Sequence, residues 1–443
     1  KEEAAIASLV DPSSVKSGKV SKAKESVYGA TEWTLNNGVK VVVLPTEYKK
    51  DEVVFNLCLP GGLSLVEDGD LYSFEENILA CVNRYTGVAG FSSSDMPKVL
   101  AGKTATMNPY FEDTVHGISG SSAPKDIETA LQLMYLLFTQ PRFDEGEFQV
   151  AYDQIRNVLP NLEKMPDMQF QKHATVAMHE DGARNIFISG DVLGKASMAA
   201  YERVYTKTLF KDAAGAVLYI VGNVDMETLK PMVEKYAGSL PKGRKPATYI
   251  DRGERLRAGE GEDRFTVSME APKVSVFHCY NAAFEPTVEN RLSMRALNYV
   301  LNMLYTDTLR EEEGGTYGAS VNADYERLPI SAFYLFTVFD TNKEQAPALE
   351  ALTKKGLREI AENGPSDDFF TRTVEFFKAQ LPQSRISNRY WLKELVGYYR
   401  FAETADSEME AAINGLTKEK ISAMAKLLLE SGNFTAVVMS PEE

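Results

Sequence analysis

One order of elements occurs twice along this chain, displaced by roughly 220 residues: helix, strand, strand, helix, proline, helix. In the first copy "LYSFEENILACVNRYTG" is helical in character, and "KTATMNPY" and "DTVHGISGSSA" read as strands. The amphipathic helix "DIETALQLMYLLFT" stops before Pro141, and "DEGEFQVAYDQIRNVL" is the next helix. The second copy starts a long helix near Thr287, where Leu292, Ala296, Val300 and Leu304 recur every fourth residue and mark one buried face. "TYGASVNADYE" and "ISAFYLFTVFD" follow as strands, then "APALEALTKKGLREIAENG" halts before Pro365 and "DDFFTRTVEFFKAQL" begins a further helix. Residue identity between the copies is weak, so the order of elements carries the repeat.

Strands and helices in blocks, without strict βαβ alternation, predict an α+β fold. The expected architecture is two homologous lobes, each a mainly antiparallel sheet with helices packed on one face. "SAFYLFTVF" is apolar on both faces, which suits an interior strand. Residues 1–29, rich in Lys, Ser, Ala and Glu, read as a linker or arm. The first lobe is expected over 30–240. It opens with "TEWTLNNGVKVVVLP", two strand pieces around the tight-turn signal Asn36-Asn37-Gly38. "DEVVFNLCLPGG" adds a strand ending in a glycine pair, and "AAGAVLYIVGNVDMETLKPMVEKYAGSLP" closes the lobe with a buried strand and an Asp-capped helix. The polar, charge-dense stretch 241–262 is the expected linker, and the second lobe is expected over 263–443.

The chain has 443 residues, more than one ordinary core holds. Its 48 basic and 63 acidic residues leave a formal charge of −15, which gives phosphate backbones no general attraction and argues against nucleic acid. No run approaches the roughly 18 apolar residues of a membrane span. Cys58 and Cys279 lie in apolar, strand-like runs and, with Cys81, fit small buried side chains better than a disulfide framework or a metal cage. The sequence begins at Lys1 without an initiator Met or a signal peptide, so a piece of a longer polypeptide is expected.

Catalytic motifs are missing. A zinc hydrolase needs three protein ligands and an open position. The histidines are His116, His173, His179 and His278, and neither HExxH nor its inverse HxxEH occurs. The nearest approach is "HATVAMHE", with His173, His179 and Glu180; a spacing of six turns the second ring roughly 240° away on a helix. His116 and His278 stand in strand-like runs, where a hydrogen-bonded histidine is the default. There is no GxSxG elbow, no cysteine in a basic, histidine-bearing setting, and no phosphate loop.

From about Gly29 onward the chain resembles one half of an M16 (pitrilysin/insulinase-like) zinc metallopeptidase. "LNNGVKVVVLPT" is similar to that family's opening strand pair, "YIVGNVDMETLKPMVEKYAGSLP" to the closing strand and helix of its first lobe, and "LREEEGGTYG" to a Leu-Arg-Glu…Gly…Tyr segment of its second. "KVLAGK" to "LFTQPRFD" is like the C-terminal half of long bacterial members. The departure is as informative: catalytic halves carry HxxEH on the first long helix, whereas residues 1–115 here contain no histidine. The resemblance therefore implies a non-catalytic half, inactive alone and without metal of its own. It would close a peptide-binding chamber with a zinc-bearing half and lend Arg310 and Tyr317 to substrate binding. The compartment is not read from these residues; an exported, periplasmic setting would fit the resemblance to long bacterial members. Two other readings stay open: a structural or peptide-binding M16-like module without proteolysis, similar to core subunits of respiratory complexes, and an independent hydrolase built on His173, His179 and Glu180.

Overall fold

The computed structural model describes residues 8–312 and 318–443, the side chains of residues 310–312 excepted. The chain forms two compact units. In the first the strands are β1 (Val20–Glu25), β2 (Thr31–Leu35), β3 (Lys40–Pro45), β4 (Val53–Pro60), β5 (Ala105–Phe111), β6 (Val115–Ser122) and β7 (Val217–Gly222). The second holds β8 (Glu260–Val267), β9 (Val274–Ala283), β10 (Ala319–Glu326), β11 (Ala332–Thr341) and β12 (Phe434–Pro441). Early helices are α1 (Glu76–Tyr85), α2 (Met96–Val99), α3 (Ile127–Thr139), α4 (Glu145–Lys164) and α5 (Pro166–Ala177). Three more, α6 (Gly190–Lys195), α7 (Met198–Val204) and α8 (Met226–Tyr236), precede the second set of strands. The remainder are α9 (Val288–Tyr305), α10 (Ala346–Asn363), α11 (Asp367–Ser384), α12 (Asn388–Phe401), α13 (Ala405–Asn414) and α14 (Lys418–Glu430). None of the described helices is long and apolar enough to cross a membrane.

The sheets repeat each other. The first runs β1-β2-β3-β7-β4-β6-β5 and the second β10-β11-β9-β12-β8, so β3-β7-β4-β6-β5 and β8-β12-β9-β11-β10 share one order. Each has a single parallel pair at the same place, β3 with β7 and β12 with β8; every other pairing is antiparallel. The extra strands of the first sheet include β1, inside the stretch expected as an arm. Five of its six residues are exposed, so backbone pairing to β2 holds it without any apolar alternation that the sequence could show.

Helices pack on one face of each sheet, as expected, and one further helix covers the other face. Strands such as β7 and β9 require this, because almost every residue along them is buried. In the second unit Val276 and Tyr280 face α9, α10 and α14, while Phe277, Cys279 and Val437 meet Ala174 and Ala177 of α5. In the first, Val42, Val54, Tyr219 and Val221 meet Leu395 of α12. The first unit comprises residues 1–159, 188–252 and 383–404, and the second the rest. Two of the five changes of unit fall next to Pro160 and Pro382, each inside a helix, where proline removes a backbone donor. β11 is interior, as its sequence suggests, yet buries alternate residues, because its second face is only partly covered.

The glycine pair after β4 is held by His116. Gly62 (φ +57°) donates its N–H to Nδ1 at 3.1 Å, and Nε2 donates to the Leu209 carbonyl at 2.6 Å. A Cβ on Gly62 would lie 2.3 Å from the Glu112 carbonyl oxygen, so no larger residue fits. Burial pushes the His116 imidazole down to about 4, against the pull of the Leu209 carbonyl. A histidine lowered on folding stabilises the neutral-pH fold, and that contribution is lost as pH falls from the free value of 6.5 towards about 4. An NMR titration should find His116 uncharged at pH 5.5, and His116→Gln should flatten the fall in unfolding free energy between neutral pH and pH 5. An imidazole titrating at 6.5 or above would contradict this latch.

Candidate functional site

The corner "LREEEGGTYG" follows α9, and its flanks are fixed from the core outward. Leu292, Ala296 and Val300 are buried as their spacing predicts, but Leu304 is only partly so; the buried face turns onto Leu297, Leu301 and Tyr305. Tyr305 donates its hydroxyl to the Thr353 carbonyl at 2.5 Å. Beyond it the backbone widens into a π-helical turn, Thr306–Glu312, in which Leu309 is fully buried. Such turns recur at functional positions because they shift the register of the side chains after them. Thr306 and Thr308 donate to carbonyls four residues back, at 2.8 and 2.9 Å, taking up acceptors near the helix end. Arg310 belongs to this turn by backbone; its side chain and all of Tyr317 lie outside the described residues.

On the far side of the corner, β10 is tied to α9 by one amide. Asn302 donates Nδ2 to the Val321 carbonyl and accepts the Val321 N–H at Oδ1, both at 2.9 Å. β10 is an edge strand, and this paired bond satisfies Val321 on that open edge. The helix before Arg310 and the strand after Tyr317 are thereby held to each other across the corner. The sequence reading passed over Asn302; a polar residue about one turn before a helix end, beside an edge strand, was the available signal.

The other polar candidates do not converge. His173 gives Nδ1 to Asp263 at 2.6 Å and stacks on Phe265, with ring centroids 3.7 Å apart. His179 lies beyond the end of α5, 3.5 Å from the Glu326 carboxylate, and Glu180 accepts the Ala258 N–H. The three members of "HATVAMHE" therefore have three separate partners. His278 is buried on β9, with Nε2 3.1 Å from Glu350 and Nδ1 3.1 Å from the Thr353 hydroxyl. Burial raises the Glu350 carboxyl, but hydrogen bonds from His278 and Arg264 outweigh it and hold it below the usual range; burial lowers His278.

Both nitrogens of His116 and of His278 have neighbours within hydrogen-bond reach, and among the described residues no three His, Cys, Asp or Glu gather into a set of ligands. Cys58 and Cys279 are buried free thiols and Cys81 is half-buried; burial raises all three, Cys279 to about 12, which favours the neutral thiol near neutral pH. At the start of α1 stand Glu75 and Glu76, with no histidine. Glu75 is spent on capping: its carboxylate accepts the N–H groups of Asn77 and Ile78 at 2.8 and 3.0 Å.

Residues 205–376 match the family model described as "Peptidase M16 inactive domain". A curated relative from Arabidopsis thaliana, "Zinc protease PQQL-like", is 23% identical over 84% of this chain, which spans 38% of that protein. "Probable zinc protease PqqL" of Escherichia coli is 21% identical over 78% of the chain and 37% of its own length. The chain thus spans well under half of these relatives. The crystal structure of the periplasmic protease PqqL from Escherichia coli superposes at a TM-score of 0.81 and 18% identity, covering 100% of this chain and 49% of that one. A peptidase M16 inactive domain from Pseudomonas fluorescens superposes at 0.74 and 16% identity, over 94% of this chain and 98% of its own. With the repeated sheet order, this chain has the fold of M16 peptidases, and its residues 205–376 match that family's inactive domain.

Proposed function

We propose that this chain is the non-catalytic half of an M16-type zinc metallopeptidase. It closes a peptide-binding chamber with a zinc-bearing half, and Arg310 and Tyr317 bind the substrate there. The observation that carries this is α1: the first long helix has no histidine, and its leading carboxylate, Glu75, is consumed as a helix cap. The match to an M16 inactive domain supports the same reading. Zinc belongs to the complementary half, since the histidines here do not form a ligand set.

In this reading the inactive half supplies fixed donors. Arginine presents permanently charged N–H groups and tyrosine a hydroxyl. Aimed at a peptide carbonyl, such donors stabilise the charge that develops on its oxygen when the carbon is attacked. Donors help only if they are held still. Asn302 and the buried Tyr305 and Leu309 supply that rigidity on the described flanks of the corner.

In the complete two-half enzyme, Arg310→Ala or Tyr317→Phe should lower kcat on the order of 10²-fold. Each should shift stability by no more than about 1 kcal/mol. Normal turnover by both folded variants would leave the pair with a structural role and favour a module without proteolysis. Asn302→Ala should cost about 2 kcal/mol in denaturant unfolding through its lost bonds to Val321. It should also speed hydrogen exchange at the Val321 amide and lower kcat. An unchanged Val321 exchange rate would show that the amide does not hold the corner.

A further inference from the structure

The two sheets end in equivalent edge strands, β10 and β5, and the two edges are finished differently. On β10 the Asn302 amide occupies the outward backbone groups of Val321. On β5 the outward groups are set by parity. The Thr104 carbonyl accepts from Ala123 at 2.9 Å, so even-numbered residues of this strand face β6 and odd-numbered ones face away. Pro109, which has no N–H to give, is odd, as an edge strand requires. The N–H and C=O groups of Ala105, Met107 and Phe111 then point off the sheet, and no described residue bonds them.

Beside this edge is a cavity of about 350 Å³, within the range of ligand pockets. Its floor includes the buried rings of Tyr201 and Tyr205 and the side chain of Leu133. Asn83 and Arg84, in the last turn of α1, line it together with Met107 and Pro109 of β5. Neither has a hydrogen bond or ion pair with a described residue. The other cation of the lining, Arg142, is already paired with Glu147 at 2.9 Å. No carboxylate of the described residues lines the cavity, in a chain of net charge −15. A strand edge and a guanidinium, both without partners among the described residues, therefore adjoin one largely apolar cavity.

We propose that β5 takes an extended peptide by strand addition, with one apolar side chain of the peptide entering the cavity and a peptide carboxylate meeting Arg84. Backbone pairing to Ala105, Met107 and Phe111 supplies sequence-independent affinity, and the cavity and Arg84 supply selection. The site belongs to the first unit, whereas Arg310 and Tyr317 fall within the residue range of the second. It needs no catalysis to be seen.

The probe is a short fluorescein-labelled peptide of alternating valine and threonine ending in leucine with a free carboxylate, alongside its C-terminal amide. A third version carries an aspartate after a leucine and an amidated end, which separates a terminal carboxylate from a side-chain one. The whole chain, without any zinc-bearing half, should bind at least one acid peptide about tenfold more tightly than the neutral amide. Arg84→Ala should erase that difference, and Arg84→Lys should keep part of it. Hydrogen exchange should slow at the amides of Ala105, Met107 and Phe111 and stay unchanged at Thr106 and Asn108, which already face β6. N-methylation of the peptide on its strand-facing amides should abolish binding without altering the protein. Equal affinity for acid and amide, binding indifferent to Arg84, or no protection on β5 would each overturn the proposal. These results come from binding alone, so they are independent of any kcat effect at Arg310 and Tyr317.

Discussion

Strands buried on both faces govern this molecule. β9 hides nine of its ten residues, and β7 five of six. Each large apolar side chain left in water would forfeit roughly 1.5–3 kcal/mol, so a sheet built from such strands cannot stand with one face open. The main helical layer covers one face. The other is closed in each unit by a single helix, α5 or α12, drawn from outside that unit's main run of sequence. The contacts suit a close approach: α5 presents Ala174 and Ala177, small enough to seat its backbone near Phe277 and Cys279. The division of the chain into units, in which each takes one helix from outside its main run, follows from that demand.

The repeat was legible because element order survives when residue identity does not. Period-two runs, the Asn37-Gly38 turn and the proline stops placed most of the elements. Other features were silent for stated reasons. β1 has exposed side chains and is held by its backbone, so no hydrophobic pattern marks it. The second-face helices carry stripes that read as ordinary amphipathic helices, and a stripe does not say which sheet it meets. Pro160 and Pro382 sit at equivalent places in the two copies and were a readable sign of two of the changes of unit, had they been taken together.

The chemistry was legible mainly as a deficit. Four histidines without HxxEH already argued against a ligand set, and their neighbours give each a separate physical role: a latch on a glycine turn, a partner of Asp263, a neighbour of Glu326, and a buried base between Glu350 and Thr353. The contrast between the two sheet edges was not legible. Asn83 and Asn302 both lie near a helix end, but only coordinates show that one is spent on Val321 and the other is left beside a cavity. A chain with the M16 fold, whose described residues gather no set of zinc ligands and leave outward backbone groups of β5 without bonds, suits the proposed part that holds peptide while a counterpart performs the chemistry.

That division of labour is tested most directly on the chain by itself. Its zinc content after dialysis should be measured together with cleavage of a fluorogenic peptide, with and without a chelator. The account predicts zinc far below one ion per chain and no chelator-sensitive cleavage. Stoichiometric zinc accompanied by cleavage that a chelator abolishes would contradict it.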